Sequence, residues 1–467
     1  MHIHTEDPGY RGCGGHRSGG GLRGLKIHES EFLDDFAPGR GKPPGAGGTV
    51  EASLYIHIPF CAGACDYCDF YSTAPRGRRR DRLTGAFIEA LLLDAEKTLA
   101  RFARAGNGPD RQGRRFPEGP VSRTGLFLRV PTLYIGGGTP SLLGAAGMTR
   151  LLGGLMPMLP PLREFTVEAN PESLDEAFLR TCRDFGVTRI SLGVQTFHEP
   201  SRRSVHRVGD GSLLPEKLAL TAEYYGGSFS ADLITGLPCQ TEALVLEDIE
   251  RLLAFNPGHV SLYALTVEEG TPLSLPPLRR GKSSVPFLPD GETADRLWLA
   301  GRDALEQAGY DQYEVSNFSL PGKQSVHNIR YWRMKNWLGL GPAASGTIID
   351  DASGTGRRYT AAADVDAYIA AAKTGSPAGS GLTEELDSAT LIKESFLMGF
   401  RCIEGPDRDL FRRRFSRDVE ELIPITLEAW RRRGLAAAEK TALTREGLLW
   451  LDPFLLDAFK EAESQLK

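Results

Sequence analysis

The chain has 467 residues, 41% hydrophobic and 25% charged, a composition that provides a sizeable core for one large domain and a smaller one. Its net charge of −5, with lysine and arginine spread along the chain, argues against nucleic acid as the main partner. Seven cysteines, no charged-then-apolar start and no apolar run of about 18 residues lead to the expectation of a reduced, cytoplasmic protein with no transmembrane segment.

Residues 1–50 read as a disordered, glycine-rich tail, since runs such as Gly39-Arg-Gly-Lys-Pro-Pro-Gly45 bury too little apolar surface to offset chain entropy. The pattern then changes to short apolar strands separated by helices. A strand at 54–58 leads into a cysteine loop. A helix at 81–103 follows, with Phe87, Leu91, Leu92 and Leu99 at helical spacing. Residues 105–125 read as a polar surface insertion. Further strands are expected at 132–135, 164–167, 189–194, 229–234 and 259–265, with helices at about 145–156, 173–185 and 240–254. Six βα-type units in a row predict a parallel sheet curled into a partial (β/α)6 TIM-like barrel, an α/β fold with its chemistry at the C-terminal strand ends. The barrel is assigned to 51–275, a sheet extension to 276–380 and a helical C-terminal domain to 381–467.

The organising stretch is Cys61-Ala-Gly-Ala-Cys65-Asp-Tyr-Cys68. Three thiolates on one short loop suit a soft metal centre. A structural zinc site closes its tetrahedron with a fourth ligand, which here would have to come from elsewhere in the chain. A cubane iron–sulfur cluster held by three thiolates instead keeps one iron open for a non-protein ligand, as an S-adenosylmethionine radical protein requires. Downstream, Gly136-Gly137-Gly138-Thr139-Pro140 lets backbone approach a ligand closely. Glu168, Gln195 and Asp232 stand at or near successive strand ends and Arg207 follows, a guanidinium whose fork matches a carboxylate. Singly, each could be an ordinary barrel-mouth contact.

Tyr55-Ile-His-Ile-Pro-Phe-Cys61, Ile135-Gly-Gly-Gly-Thr-Pro140, Glu168-Ala-Asn-Pro171, Ile190-Ser-Leu-Gly-Val-Gln195 and Asp232-Leu-Ile-Thr-Gly-Leu-Pro238 resemble the oxygen-independent coproporphyrinogen III oxidase family of radical S-adenosylmethionine (SAM) proteins, over residues 52–465. The resemblance implies a radical SAM partial barrel with a helical C-terminal domain, and a 4Fe–4S cluster on Cys61, Cys65 and Cys68. It implies SAM contacts from Tyr55, Tyr67, Gly137, Gly138, Thr139, Glu168, Gln195, Arg207 and Asp232. The family's oxidases carry a further cysteine where this chain has Phe70. Tyr313-Glu-Val-Ser-Asn-Phe318, His327-Asn-Ile-Arg-Tyr-Trp332, Leu338-Gly-Leu-Gly-Pro342 and Glu394-Ser-Phe-Leu-Met-Gly-Phe-Arg401 resemble instead the HemW branch. Its members are described as haem chaperones that hand haem to an acceptor protein, respiratory ones among the candidates. The alternative is the oxidase itself, acting in porphyrin metabolism. Cys239 stands where the family usually has glycine. His327, Tyr331 and Trp332 are the candidate haem-binding residues, imidazole being an axial ligand for haem iron. Cys239 and Cys402 are expected to be small buried hydrophobes rather than haem thiolates.

Overall fold

The computed structural model describes residues 49–100, 127–275, 288–374 and 381–466, together with the short strand Ala103–Arg104. The glycine-rich tail to residue 48 and the 105–125 insertion lie outside the described residues.

Six strands follow one another as expected: β1 (Ser53–Ile58), β2 (Thr132–Gly137), β3 (Glu164–Ala169), β4 (Arg189–Gln195), β5 (Phe229–Thr235) and β6 (His259–Ala264). Each pairs in parallel with the next. Along every strand the residue type alternates. Leu54, Ile56 and Ile58 of β1, Leu133 and Ile135 of β2 and Val260 and Leu262 of β6 are buried in one large core. That core is covered by α1 (Gly77–Leu99), α2 (Gly144–Leu155), α3 (Glu176–Asp184), the short α4 (Glu199–Ser204), α5 (Leu214–Tyr225), α6 (Glu242–Leu253) and α7 (Gly291–Gln307), all but α4 contributing residues to it. The intervening positions, Tyr55 and His57, Tyr134, Thr166 and Glu168, Ser191, Asp232 and Ser261, point the other way, into the barrel. Apolar residues therefore make the outer face and polar ones the lumen.

The sheet continues beyond these six strands. On one side β6 is bordered by antiparallel β8 (Asn317–Ser319) and then β7 (Asp311–Gln312). On the other, β9 (Trp337–Leu340) adds to β1 in parallel, Gly339 opposite Tyr55, a pairing absent from the six-unit expectation. Antiparallel β10 (Ser345–Asp350), β11 (Thr355–Thr360) and β12 (Leu382–Leu386) follow. The sheet has twelve strands with β7 and β12 at its two ends, an open partial barrel among the described residues. Between β8 and β9 runs α8 (Val326–Trp332), and α9 (Val365–Thr374) packs on α1.

From Ser388 the chain is helical: α10 (Ser388–Gly399), α11 (Arg408–Phe415), α12 (Val419–Leu422), α13 (Pro424–Arg432), α14 (Arg445–Leu448) and α15 (Leu451–Leu466). Asp387 caps α10 by accepting the Thr390 N–H at 2.7 Å, which ends β12 and starts the helix. These helices enclose a second core around Phe396, Phe400, Trp430 and Phe454.

Candidate functional site

The cysteine loop leaves the C-terminal end of β1 and is tied at both ends. Cys61 N–H donates to Thr73 O at 3.0 Å and Thr73 N–H to Pro59 O at 2.7 Å. His57 Nε2 lies 2.9 Å from Tyr71 O, so it carries the proton, and Nδ1 accepts the Tyr55 hydroxyl at 3.1 Å. Burial lowers the His57 pKa, which keeps this ring neutral. Asp66 ties the loop to the neighbouring segment at two points: its N–H donates to Val205 O at 3.0 Å and its carboxylate lies 2.8 Å from His206 Nδ1. Tyr67 packs against Val205, Ile234 and Leu237, next to the Cys65 thiol.

The loop meets Arg207 from the segment after α4. The guanidinium donates through Nη1 to Cys65 Sγ at 3.8 Å, and through Nη2 to Asn170 Oδ1 at 2.8 Å and Gly193 O at 2.9 Å. Asn170 in turn donates through Nδ2 to Thr139 Oγ1 at 3.0 Å, and that hydroxyl lies 3.5 Å from Cys61 Sγ. A hydrogen-bonded chain thus joins Cys65, Arg207, Asn170, Thr139 and Cys61. Burial pushes the Cys68 thiol up to about 11, and the nearby Cys65 and Cys61 add to the rise. Gathering three thiols costs deprotonation that a bound metal would offset. Among the described residues no three His, Cys, Asp or Glu side chains stand close enough to hold one metal ion. A cubane does not ask for that, because each of its three thiolates binds a different iron.

Glu168 lies one layer below the rim. Tyr134 Oη donates to it at 2.7 Å and Gly137 N–H at 3.1 Å. Enclosure by protein raises its pKa to about 7, the Tyr134 hydrogen bond opposes this, and the charge of Asp232 adds to it. Burial likewise raises Asp232 to about 6, against hydroxyls of Ser261 and Ser191 and the charges of Arg189 and Arg207. Gln195 ends β4 at a register shift with φ 68°, in the left-handed region that L-residues seldom occupy. Its Oε1, the Nε of Arg207 and Oε2 of Glu172 are buried with no hydrogen-bond partner. Unpaired buried polar atoms on and around Arg207 are what a polar ligand would satisfy.

The glycines also allow close packing within the chain. A Cβ on Gly137 would lie 2.6 Å from His57 Nδ1, and one on Gly138 2.7 Å from Phe60 O. Gly138 N–H already donates to Ile58 O at 2.8 Å. Gly137 and Gly138 let the end of β2 press against β1 and the start of the cysteine loop.

The mouth therefore brings together the cysteine loop, Tyr55, Tyr67, the Gly137–Thr139 turn, Glu168, Gln195, Arg207 and Asp232. It does not bring in His327. That residue lies on α8 across the opposite end of the barrel, where its Nδ1 meets Thr132 Oγ1 at 2.8 Å and its N–H donates to Glu164 Oε1 at 2.8 Å. The imidazole is 1% exposed, with Tyr134 and Tyr331 rings 5.0 and 4.9 Å away. Trp332 is turned toward Tyr313 and Arg401. Tyr331 is half-buried, and Trp332 borders a small cavity together with Met334, Phe411 and Arg414. Cys239 is also corrected: it is exposed, at φ 66°, and Cys402 is half-buried. Asn170 and His57 carry much of the geometry and were not singled out. Both lie inside quoted motifs, one residue from a strand end or alternating with Tyr55, which was the available signal.

An open barrel with three free cysteines and unpaired polar atoms at its mouth defines a radical SAM protein, and residues 55–255 match the family description "Radical SAM superfamily". The chain is 33% identical to the heme chaperone HemW of Lactococcus lactis over 79% of this chain and 86% of that protein, and 30% identical to HemW of Bacillus subtilis over 85% and 96%. It belongs to the HemW family of radical SAM proteins. The fold is also that of the coproporphyrinogen III oxidase of Escherichia coli, with a TM-score of 0.71 at 21% identity over 92% of this chain and 93% of that one.

Proposed function

We propose that this chain is a haem chaperone that binds haem and passes it to an acceptor protein, and that it carries a 4Fe–4S cluster and SAM in the barrel mouth. The observation that carries the cofactor part is the chain of hydrogen bonds linking Cys61 and Cys65 through Thr139, Asn170 and Arg207, beside the unpaired Gln195 Oε1 and Arg207 Nε. Cys61, Cys65 and Cys68 would hold the cluster, leaving one iron open. Arg207 Nε would meet the SAM carboxylate and ionised Glu168 its ammonium or a ribose hydroxyl. Asp232 would take the ribose diol, and Tyr55, Tyr67, Gly137, Gly138, Thr139 and Gln195 would complete the contacts. When bound, cluster and SAM supply one-electron chemistry. The chaperone part is drawn from the relatives that carry that name, and Phe70 standing in place of the oxidases' further cysteine weighs against the oxidase alternative.

Haem ligation by His327 would require α8 to lift from the barrel floor and expose the imidazole, whose Nδ1 meets Thr132 and whose Nε2 is buried with no hydrogen-bond partner. Among the described residues no helix is long and apolar enough to cross a membrane.

The test is anaerobic reconstitution followed by parallel assays for iron, haem binding and coproporphyrinogen conversion. About four irons bound, a chromophore lost in Cys61→Ala, Cys65→Ala and Cys68→Ala, near one-to-one haem binding and no conversion are expected. Turnover to protoporphyrinogen would overturn the chaperone reading in favour of the oxidase.

A further inference from the structure

Asn170 occupies a place no cofactor contact explains. Its two amide atoms are both used within the chain: Oδ1 accepts from Arg207 Nη2 at 2.8 Å and Nδ2 donates to Thr139 Oγ1 at 3.0 Å. The direction of that second bond matters. With its oxygen accepting from Asn170, the Thr139 hydroxyl has its own proton free for the Cys61 sulfur at 3.5 Å. Arg207, held by Asn170 and by Gly193 O, aims its other arm at the Cys65 sulfur at 3.8 Å. The space for this arrangement is kept by a missing side chain. A Cβ on Gly193 would lie 2.8 Å from Asn170 Oδ1 and 3.2 Å from Arg207 Nη2.

We propose that Asn170 is a positioning residue that directs two hydrogen-bond donors, the Thr139 hydroxyl and the Arg207 guanidinium, onto the cluster-ligating sulfurs of Cys61 and Cys65, and so sets the reduction potential of the cluster. This rests on the cluster reading above. Reduction adds negative charge that is shared with the ligating sulfurs, and donors to those sulfurs stabilise the reduced form. Removing them therefore moves the potential to more negative values. It does not remove a ligand, so iron content is unaffected.

The experiment compares reconstituted wild type with Thr139→Val, Thr139→Ser, Asn170→Ala and Asn170→Asp, reading iron content and the midpoint potential by spectroelectrochemical titration without substrate. Thr139→Val and Asn170→Ala should hold wild-type iron and titrate at a more negative potential, and Thr139→Ser should return to the wild-type value. Asn170→Asp keeps an acceptor for Arg207 but draws the Thr139 proton to its own carboxylate, and it too should titrate lower. Potentials equal to wild type in Thr139→Val and both Asn170 variants would overturn the inference and leave the cluster reading standing. Failure of the wild type itself to take up iron would overturn the cluster reading instead.

Discussion

Glu168 is the side chain whose chemistry depends most on its surroundings. Its pKa rises from the ordinary 4.5 to about 7, so the folded chain holds a proton there that the unfolded chain releases. The stability this adds is fully present below about 4.5 and is lost as pH rises through about 7. Glu168→Gln, which cannot titrate, should therefore gain in melting temperature relative to wild type between pH 5 and 8. A constant gap across that range would show that Glu168 titrates normally. The same ionisation predicts that SAM affinity, measured by calorimetry, increases up to and somewhat beyond pH 7 and loses that dependence in Glu168→Gln. Cys239 presents a backbone problem instead. At φ 66° an L-residue carries about 1–2 kcal/mol of strain, partly offset in the unfolded chain if glycine replaces it. Cys239→Gly should stabilise the chain by about 0.5 kcal/mol or more in urea titrations, and a loss would remove the strain account.

At the scale of elements, α1 begins against its own dipole. Its first turns carry Arg78, Arg79, Arg80 and Arg82, there is no acidic residue in the first turn, and Arg76 at the N-cap gives no side-chain cap. Positive charge at the positive end of a helix is unfavourable. The helix holds because Phe87, Ile88, Leu91 and Ala95 are buried in the main core. Arg79→Glu should raise stability by about 0.3–1 kcal/mol at low salt, with the gain shrinking as salt is added. A salt-independent effect would exclude the dipole as its cause.

Across the whole molecule, the two cores are bridged by an ion pair between a buried carboxylate and a half-buried guanidinium. Glu314, 0% exposed and at an isolated bridge with Cys402, accepts Arg401 Nε at 3.0 Å. Asn317 and the Ser316 N–H bind its other oxygen. Removing Glu314 leaves Arg401, Asn317 and the Ser316 N–H without their acceptor and is destabilising. The loss is less than the about 3–5 kcal/mol of a fully buried pair because Arg401 reaches solvent, whereas replacing both charges by apolar residues is closer to neutral. Glu314→Ala should therefore lower the midpoint of chemical unfolding, and Glu314→Met with Arg401→Met should recover most of the loss. Equal losses in the single and double variants would mean that the pair contributes nothing as a pair.

The sequence by itself determined the six successive βα strands, the cysteine loop after β1 and the later helical segment, because strand alternation, helical spacing and cysteine spacing are local properties. The polar lumen was written there too, in the alternation of Ser53-Leu-Tyr-Ile-His-Ile58 and Arg189-Ile-Ser-Leu-Gly-Val-Gln195, though a short apolar run masks it. Only the tertiary structure decided that Trp337–Leu340 pairs beside β1, since a four-residue strand has no local pattern strong enough to name its neighbour. It alone placed His327 on the barrel floor, at the opposite end from the cysteines, and showed that Gly137 packs against His57. It alone joined Arg207 to Cys65 across 142 positions and to Asn170 across 37. Such contacts are made by strand ends converging on one mouth, and that convergence depends on the curvature of the whole sheet, which no single stretch of sequence encodes.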